Sequence, residues 1–448
     1  MENNKLHVDA MVVGGGIAGM QSSLDLADQG YKVALVEKSP SIGGKMIGLS
    51  KVFPTLDCCS CITTPKMSAT AHHENITVLT YCEVQNVEQN NGGFIADVLQ
   101  KPRYVIEDDC TGCRSCELVC PLDVPEVENE FGRTARRVIY VPFATAVPQK
   151  ALVDLDHCLF CGKCIQACPA DAIDFTQQPQ HLEIDAKTVL LATGYEVTPY
   201  DAKKEYGAGK FRNVIDGLMM ERLLAPTGPY GRVLRPSDGK EPGSIAYVQC
   251  AGSRDLSLDV PYCSRVCCMY AIKQAMLLSG ALPLADITIY YMDIRAFGKG
   301  YEQFYQNAKA MGIEFVKGKV ARIHEDENQN PIVRMELIDE YGQTSVAERQ
   351  HDLVVLSVGM LPGYNPQKLY GVSSEEDGFI EIPDYNVSPA ETAHEGIFAV
   401  GTATGPMDIV DTIMTAGAAA SSVAAYIEGY NNHTQEVSTS AERSVAHA

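Results

Sequence analysis

Two runs of the form C-x2-C-x2-C-x3-C-P constrain this chain more than anything else in it. The first is Cys110, Cys113, Cys116, Cys120 and Pro121; the second is Cys158, Cys161, Cys164, Cys168 and Pro169. This spacing specifies two [4Fe–4S] cubanes, in which three thiolates of one run hold a cluster and its fourth ligates the other. Cluster I takes Cys110, Cys113, Cys116 and Cys168. Cluster II takes Cys158, Cys161, Cys164 and Cys120. The plainer alternatives are zinc or a disulfide framework, but zinc sites come as two C-x-x-C pairs and not as four thiolates closed by Cys-Pro. Two cubanes mean one-electron transfer, so the rest of the chain must say what the electrons meet.

At 448 residues the chain predicts two or three domains, and its 46% hydrophobic content is enough for real cores. The start, MENNKLHVDAMVVGGG, runs directly into a strand with no basic n-region. The 16 cysteines are therefore expected to be reduced and metal-binding, in an oxygen-poor cytoplasm. No apolar run reaches the roughly 18 residues of a bilayer span. The Ala-rich stretch 412–427 is broken by Gly and Ser and predicts a packed helix. A net charge of −21 argues against nucleic acid as a partner.

Strand, helix and strand over residues 8–13, 17–29 and 32–37 form a β-α-β unit. Cysteine, proline and charge take over from 101 to 181, the mark of an insert. Buried strands return at 187–195, 244–250, 286–292, 352–359 and 396–401. The pattern predicts a first domain built from 1–100, 182–215 and 351–430, and a second Rossmann-like domain over 216–350. The polar residues 431–448 predict a disordered tail.

Gly14, Gly16 and Gly19 follow the first strand and open the helix as G-x-G-x-x-G, with Ala18 inside the motif. The first glycine permits the tight turn, the second lets the backbone approach a pyrophosphate, and the third lets helix and strand pack closely. Glu37 ends the second strand, where an acid bonds a ribose hydroxyl, and Lys38 follows it. Three later stretches resemble those of two-dinucleotide-domain flavoproteins and favour FAD: Gly43, Gly44 and Lys45; Ala192, Thr193 and Gly194; and the strand ending at Gly401. That superfamily usually has Gly-Asp at the last position, whereas here Thr402 follows Gly401.

The second Rossmann-like unit has no glycine fingerprint. Its strand runs into Cys250, and Cys263, Cys267 and Cys268 follow. This spacing fits no common zinc motif. It is compatible with a third [4Fe–4S] cluster or with structural thiols; a catalytic dithiol is disfavoured because Cys267 and Cys268 are adjacent. Either way, hydride exchange with NAD(P)H is not expected in this chain.

The stretches GGGIAGMQSSLDLADQGYKVALVEKSPSIGG, FPTLDCCSCITTPKM, LRPSDGK, QCAGSR, PYCSRVCCMYAIKQA and YYMDIRAFGKGYEQFY, with the double cysteine run, resemble the flavin-containing HdrA subunit of heterodisulfide reductases. The resemblance covers about residues 8–410. It implies an α/β, thioredoxin-reductase-like two-dinucleotide-binding-domain flavoprotein with an inserted ferredoxin-like α+β domain carrying two clusters. It places Cys250, Cys263, Cys267 and Cys268 on the ligands of an extra cluster and Lys273 beside flavin N5, where a cation stabilises the reduced anionic flavin. Glu221 is a weaker candidate for the same surroundings. The expected form is short, without the further N-terminal and C-terminal cluster domains of the methanogen proteins. The implied partners are HdrB- and HdrC-like subunits, or ferredoxin or hydrogenase-type subunits, with a dimer inside a larger complex.

The expectation is thus an FAD- and iron–sulfur-dependent electron-transfer subunit of a cytoplasmic anaerobic oxidoreductase complex, with flavin-based bifurcation as one possibility. A non-bifurcating conduit to a quinone-interacting membrane complex is the alternative. A stand-alone NAD(P)H-dependent disulfide reductase is opposed by the missing second glycine fingerprint and the missing C-x-x-C. Cys58, Cys59 and Cys61 are expected in a loop, packed or close to the flavin, and Cys82 at a strand end.

Overall fold

In the computed structural model, residues 5–90, 92–339 and 341–445 are described. The first β-α-β unit consists of β1 (Lys5–Val13), α1 (Ile17–Ala27) and β2 (Val33–Glu37). All five residues of β2 are buried, as a parallel strand covered on both faces requires. Then come α2 (Cys59–His72), β3 (Ile76–Thr80), β4 (Cys82–Asn90) and β5 (Gly93–Gln100). The cysteine-rich insert follows, with two five-residue helices, α3 (Ser115–Val119) and α4 (Lys163–Ala167). The chain re-enters the first sheet with β6 (Gln180–Leu191), a 12-residue strand parallel to β1 along most of its length.

The second domain holds β7 (Val214–Asp216), α5 (Gly217–Leu224), β8 (Ser244–Ala251), α6 (Cys267–Ala281), β9 (Asp286–Tyr291) and α7 (Tyr301–Ala310). It continues with β10 (Glu314–Glu325), β11 (Pro331–Ile338), β12 (Thr344–Gln350) and β13 (Leu353–Val358). The chain then returns to the first domain for β14 (Ile397–Ala399) and α8 (Ile409–Val445).

The first sheet has the order β3-β2-β1-β6-β5-β4, and β14 pairs with the end of β6. The second has the order β7-β13-β8-β9-β10-β11-β12. Two antiparallel segments, Tyr195–Val197 and Met360–Pro362, carry the chain between the domains.

Four boundaries differ from those read in the sequence. β6 begins at Gln180, two residues before the expected re-entry. β7 and β13 pair with each other, and β13 with β8, so both belong to the second sheet. The run DLVVLSVG is buried throughout and fits the centre of either sheet, so its hydrophobicity does not assign it. The final helix runs to Val445, through residues 431–445 that the sequence predicts as a disordered tail; no proline interrupts them. Its portion Ile409–Asn431 is long and apolar enough to cross a membrane. Ala416, Ala419, Ala420, Val423, Ala424 and Ile427 on this helix instead join the buried core with α1 and β1 residues. A core helix meets the same length and composition test.

Candidate flavin and cluster sites

The turn between β1 and α1 is shaped by close contacts that only glycine allows. Gly14 has φ +111°, and a Cβ there would lie 2.3 Å from the Ala192 carbonyl oxygen. A Cβ on Gly19 would lie 1.9 Å from the Gly14 carbonyl oxygen, so helix and strand touch backbone to backbone. A Cβ on Gly16 would meet nothing within 4 Å. Gly16 is also the N-cap of α1, with no side-chain cap and no acid in the first helical turn. An open face and uncapped amides fit a dinucleotide pyrophosphate. The buried Glu37 carboxylate accepts from the amides of Gly15 (2.6 Å) and Ser39 (2.7 Å), which locks β2 to the turn.

Three further loops close on this turn. The Gly43 amide donates to the Gly15 carbonyl at 2.8 Å, and Gly44 lies against Gly16. Ala192–Gly194 abuts Gly14, and Gly401 abuts Ala18 and Thr412. Thr402 sits in a single 3-10 turn, Gly401–Ala403. Lys45 pairs with Glu196 at 3.4 Å, and Lys38 is exposed. The glycine-bearing loops therefore converge on the first turn, while Lys38 and Lys45 make no hydrogen bond or ion pair with it among the described residues.

The two cysteine runs fold alike. In each, the second and fourth residues after the first cysteine are left-handed: Gly112 (+69°) and Arg114 (+61°), then Phe160 (+50°) and Gly162 (+72°). Each run continues into its short helix, and Cys120 and Cys168 cap the helix ends. Alternation with left-handed residues turns successive amides inward, the geometry of an anion nest. Cys110, Cys113, Cys116 and Cys168 line one small cavity, which is the set assigned to cluster I. The amides of Ala172 and Phe160 donate to the sulfurs of Cys168 (3.3 Å) and Cys158 (3.4 Å), bonds that favour thiolates. Cys120, Cys158 and Cys164 pack into the core of the same module. No three of the described His, Cys, Asp and Glu side chains are grouped to hold a single metal ion. Thiolates that ligate the four corners of a cubane stand further apart than ligands on one ion.

In the second domain the chemistry of the nucleotide turn is replaced. Cys250 is left-handed (φ +58°), and a Cβ on Gly252 would lie 2.4 Å from the Thr198 side chain, so this turn has no open glycine cradle. The Ser253 and Ser264 hydroxyls bond at 2.6 Å under Gly359. Cys267 and Cys268 begin α6, and the thiols of Cys250 and Cys263 are their electrostatic neighbours. Burial, and then repulsion among these thiols, pushes Cys267 well up and Cys268 to about 11. A cationic centre reverses both penalties, so the donor set fits a cluster. The Gln249 amide beside them is buried with neither polar atom partnered among the described residues.

Lys273 and Glu221 form an ion pair with only 2% of either side chain exposed. Lys273 also donates to the Lys51 carbonyl at 2.8 Å. Glu221 accepts from the Ser50 amide (3.0 Å), the Ser50 hydroxyl (2.7 Å) and Gln274 (2.5 Å). The pair thus joins α5 and α6 to the loop that follows Gly43 and Gly44.

A family model described as FAD dependent oxidoreductase matches residues 9–102, and one described as 4Fe-4S dicluster domain matches 109–173. The HdrA iron–sulfur component of the CoB–CoM heterodisulfide reductase of Methanocaldococcus jannaschii is 47% identical over 92% of this chain and 63% of its own length. This chain is similar to that HdrA component along nearly all of its own length. The corresponding component of the H2:CoB-CoM heterodisulfide,ferredoxin reductase of Methanothermobacter thermautotrophicus is 43% identical over 95% of this chain and 65% of its own. The HdrA-like chain therefore spans less than two-thirds of the length of these relatives. FAD and [4Fe–4S] clusters are its cofactors. Thioredoxin reductases from T. acidophilum and Lactococcus lactis share the fold, each with TM-score 0.52, covering 94% of this chain and 99% of theirs at 16% and 14% identity.

Two features of the HdrA-like chain differ from what its sequence suggests or go beyond it. Cys58 and Cys61 are not in a loop: Cys58 is the N-cap of α2, and Cys61 lies in its first turn. Cys58-Cys59-Ser60-Cys61 is itself a C-x-x-C, a motif that the intervening Cys59 obscures. The second is the set of contacts through which the insert reaches the flavin loop. The Val147 amide donates to the Ser41 hydroxyl at 2.8 Å, and the Ile42 amide donates to the Val147 carbonyl at 3.1 Å. No sequence pattern marks such a contact.

Proposed function

We propose that this HdrA-like chain is the electron-transfer subunit of an oxidoreductase complex, with its flavin between two iron–sulfur exits. One observation carries the reading: the segments that bear two thiol sets are tied by hydrogen bonds to two different flavin loops. On one side, Gly112 of the cluster I loop rests on Gln149, two residues from Val147, which bonds Ser41 and Ile42 beside Gly43. On the other, Arg265, between Cys263 and Cys267, donates to the Pro406 carbonyl (3.2 Å) and pairs with Asp411 (2.9 Å), next to the Gly401–Gly405 turn.

Bound FAD supplies the exchange between two-electron and one-electron chemistry. The residues of the chain set the conditions for it. The amides of the Gly14–Gly19 turn orient the pyrophosphate. Lys273, held by Glu221 and Lys51, keeps a positive charge in a dry site next to the flavin loop, and this is the role assigned to it. Cys110, Cys113, Cys116 and Cys168 hold cluster I, and Cys158, Cys161, Cys164 and Cys120 hold cluster II. Cys250, Cys263, Cys267 and Cys268 hold a third. The complex is cytoplasmic, its partners are HdrB- and HdrC-like or other iron–sulfur redox subunits, and electron pairs are split or merged at this chain.

Anaerobic titration tests the assignment. The purified, cofactor-loaded chain should be bleached by reduced methyl viologen and left oxidised by NADPH. Rapid bleaching by NADPH alone would overturn it. Iron should approach about twelve atoms per chain, and about eight would remove the third cluster.

A further inference from the structure

The helix α2 begins at a pair of thiols that none of the assigned sites uses. A short hairpin aims them outward. Lys51 bridges to Cys58 as an isolated antiparallel pair, the Val52 amide bonds the Asp57 carbonyl (3.0 Å), and the Cys59 amide bonds the Ser50 carbonyl (3.2 Å). The three cysteines then divide sharply. Cys59 is wholly buried, its thiol directed at the Met46 carbonyl (3.1 Å), and burial pushes it to about 11. Cys58 and Cys61 are exposed and lie one turn apart at the helix start, each shifting the titration of the other. The amides of Cys61 and Ser60 face Cys58 without closing a cap hydrogen bond, and Lys51 adds a positive charge. Together these contacts lower the pKa of Cys58, led by the Cys61 amide and thiol, and raise that of Cys61 through its bond to Cys58. A lowered first thiol at the N-terminus of a 14-residue helix and a raised partner one turn later are the two roles of a C-x-x-C exchange centre.

We propose that Cys58 and Cys61 are a redox-active dithiol that exchanges with low-molecular-weight disulfides. The Cys58 thiolate attacks one sulfur of RS–SR; the Cys58–SR bond forms and one thiolate leaves. Cys61 then gives up its proton and attacks the Cys58 sulfur, closing the Cys58–Cys61 disulfide and releasing the second thiolate. The dithiol loses two electrons and the substrate gains them, and the two protons go to the released thiols. This inference does not depend on the electron-transfer reading.

The probe is 5,5′-dithiobis(2-nitrobenzoate) added anaerobically to the cofactor-loaded chain. Of the four cysteines outside the cluster sets, Cys59 and Cys82 are buried, so reaction should be confined to Cys58 and Cys61. The expected result is about two thionitrobenzoates released per chain, no label retained, and a Cys58–Cys61 disulfide found by peptide mass spectrometry. Cys61→Ser should retain one label on Cys58, and Cys58→Ser should slow the reaction at least about tenfold. Two retained labels, or equal rates in the two variants, would overturn the proposal. So would the loss of about four irons per chain in Cys58→Ser, because the thiols would then be cluster ligands. Flavin content that is unchanged in both variants shows that the fold is intact.

Discussion

Replacing Glu221 by Gln removes a charge from one of the driest places in the molecule. Four donors converge on this carboxylate: Lys273 Nζ, Gln274 Nε2, and the amide and hydroxyl of Ser50. The single amide oxygen of glutamine can accept about two of them, and its NH2 faces the rest donor to donor. Lys273 would be left with neutral acceptors alone, the Lys51 carbonyl and at most the new amide oxygen, and with no counter-charge. Breaking a buried pair by removing one partner costs about 3–5 kcal/mol, because the other charge is left uncompensated. For a cooperative unit of 150–250 residues that is roughly 6–20 °C in Tm. The assay is thermal unfolding of the loaded chain, followed by circular dichroism and by the fluorescence of released flavin. Adding Lys273→Met to Glu221→Gln should recover about 2 kcal/mol or more over the sum of the single variants, since the double variant buries no lone charge. A Glu221→Gln chain as stable as the parent, or a double variant as unstable as the sum, would refute the reasoning.

Gly19→Ala places a methyl against the Gly14 carbonyl, where only backbone can yield, so flavin retained after gel filtration should fall several-fold while cluster iron stays. Cys250→Ser should lower iron by about four atoms per chain and leave the spectrum of the two insert clusters in place. His351 is buried between the Ser244 and Tyr290 hydroxyls (2.8 Å each); burial first, then Arg349, depresses it from 6.5 to about 4, against the opposing pull of Glu314 and Asp352. The unfolded chain then binds the proton more readily, so this contribution is complete above about pH 6.5 and is lost as pH falls towards 4. On the order of 3 kcal/mol is at stake, and His351→Gln should flatten that part of the stability-against-pH curve in urea titrations.

The chemistry of the sites is largely legible in the sequence because it depends on local spacing. G-x-G-x-x-G, the two cysteine runs and Cys250 to Cys268 each lie within short stretches, and the cavity of Cys110, Cys113, Cys116 and Cys168 matches the pairing that the spacing implies. What the sequence hides is long-range or uniform. β13 is buried along its whole length, and such a run carries no mark of which sheet takes it. The meeting of Lys273 with Glu221 and Ser50 spans three distant segments. Cys58 and Cys61 are hard to read because adjacent Cys59 blurs a motif whose meaning comes from its place at a helix start.

The insert also reaches the second domain. Arg222 on α5 pairs with Glu130 at 2.6 Å, Arg133 approaches Met219, and the Tyr230 hydroxyl donates to the Arg133 carbonyl. At its other margin Arg103 is tied to the Pro40 carbonyl and Thr80. The insert therefore works as a strut. A flavoprotein free to swing one domain over the other changes the distance between groups carried on the two; an insert bonded to both domains opposes such a swing. Lengthening the 126–133 arm should loosen that brace, seen as faster proteolysis between the domains.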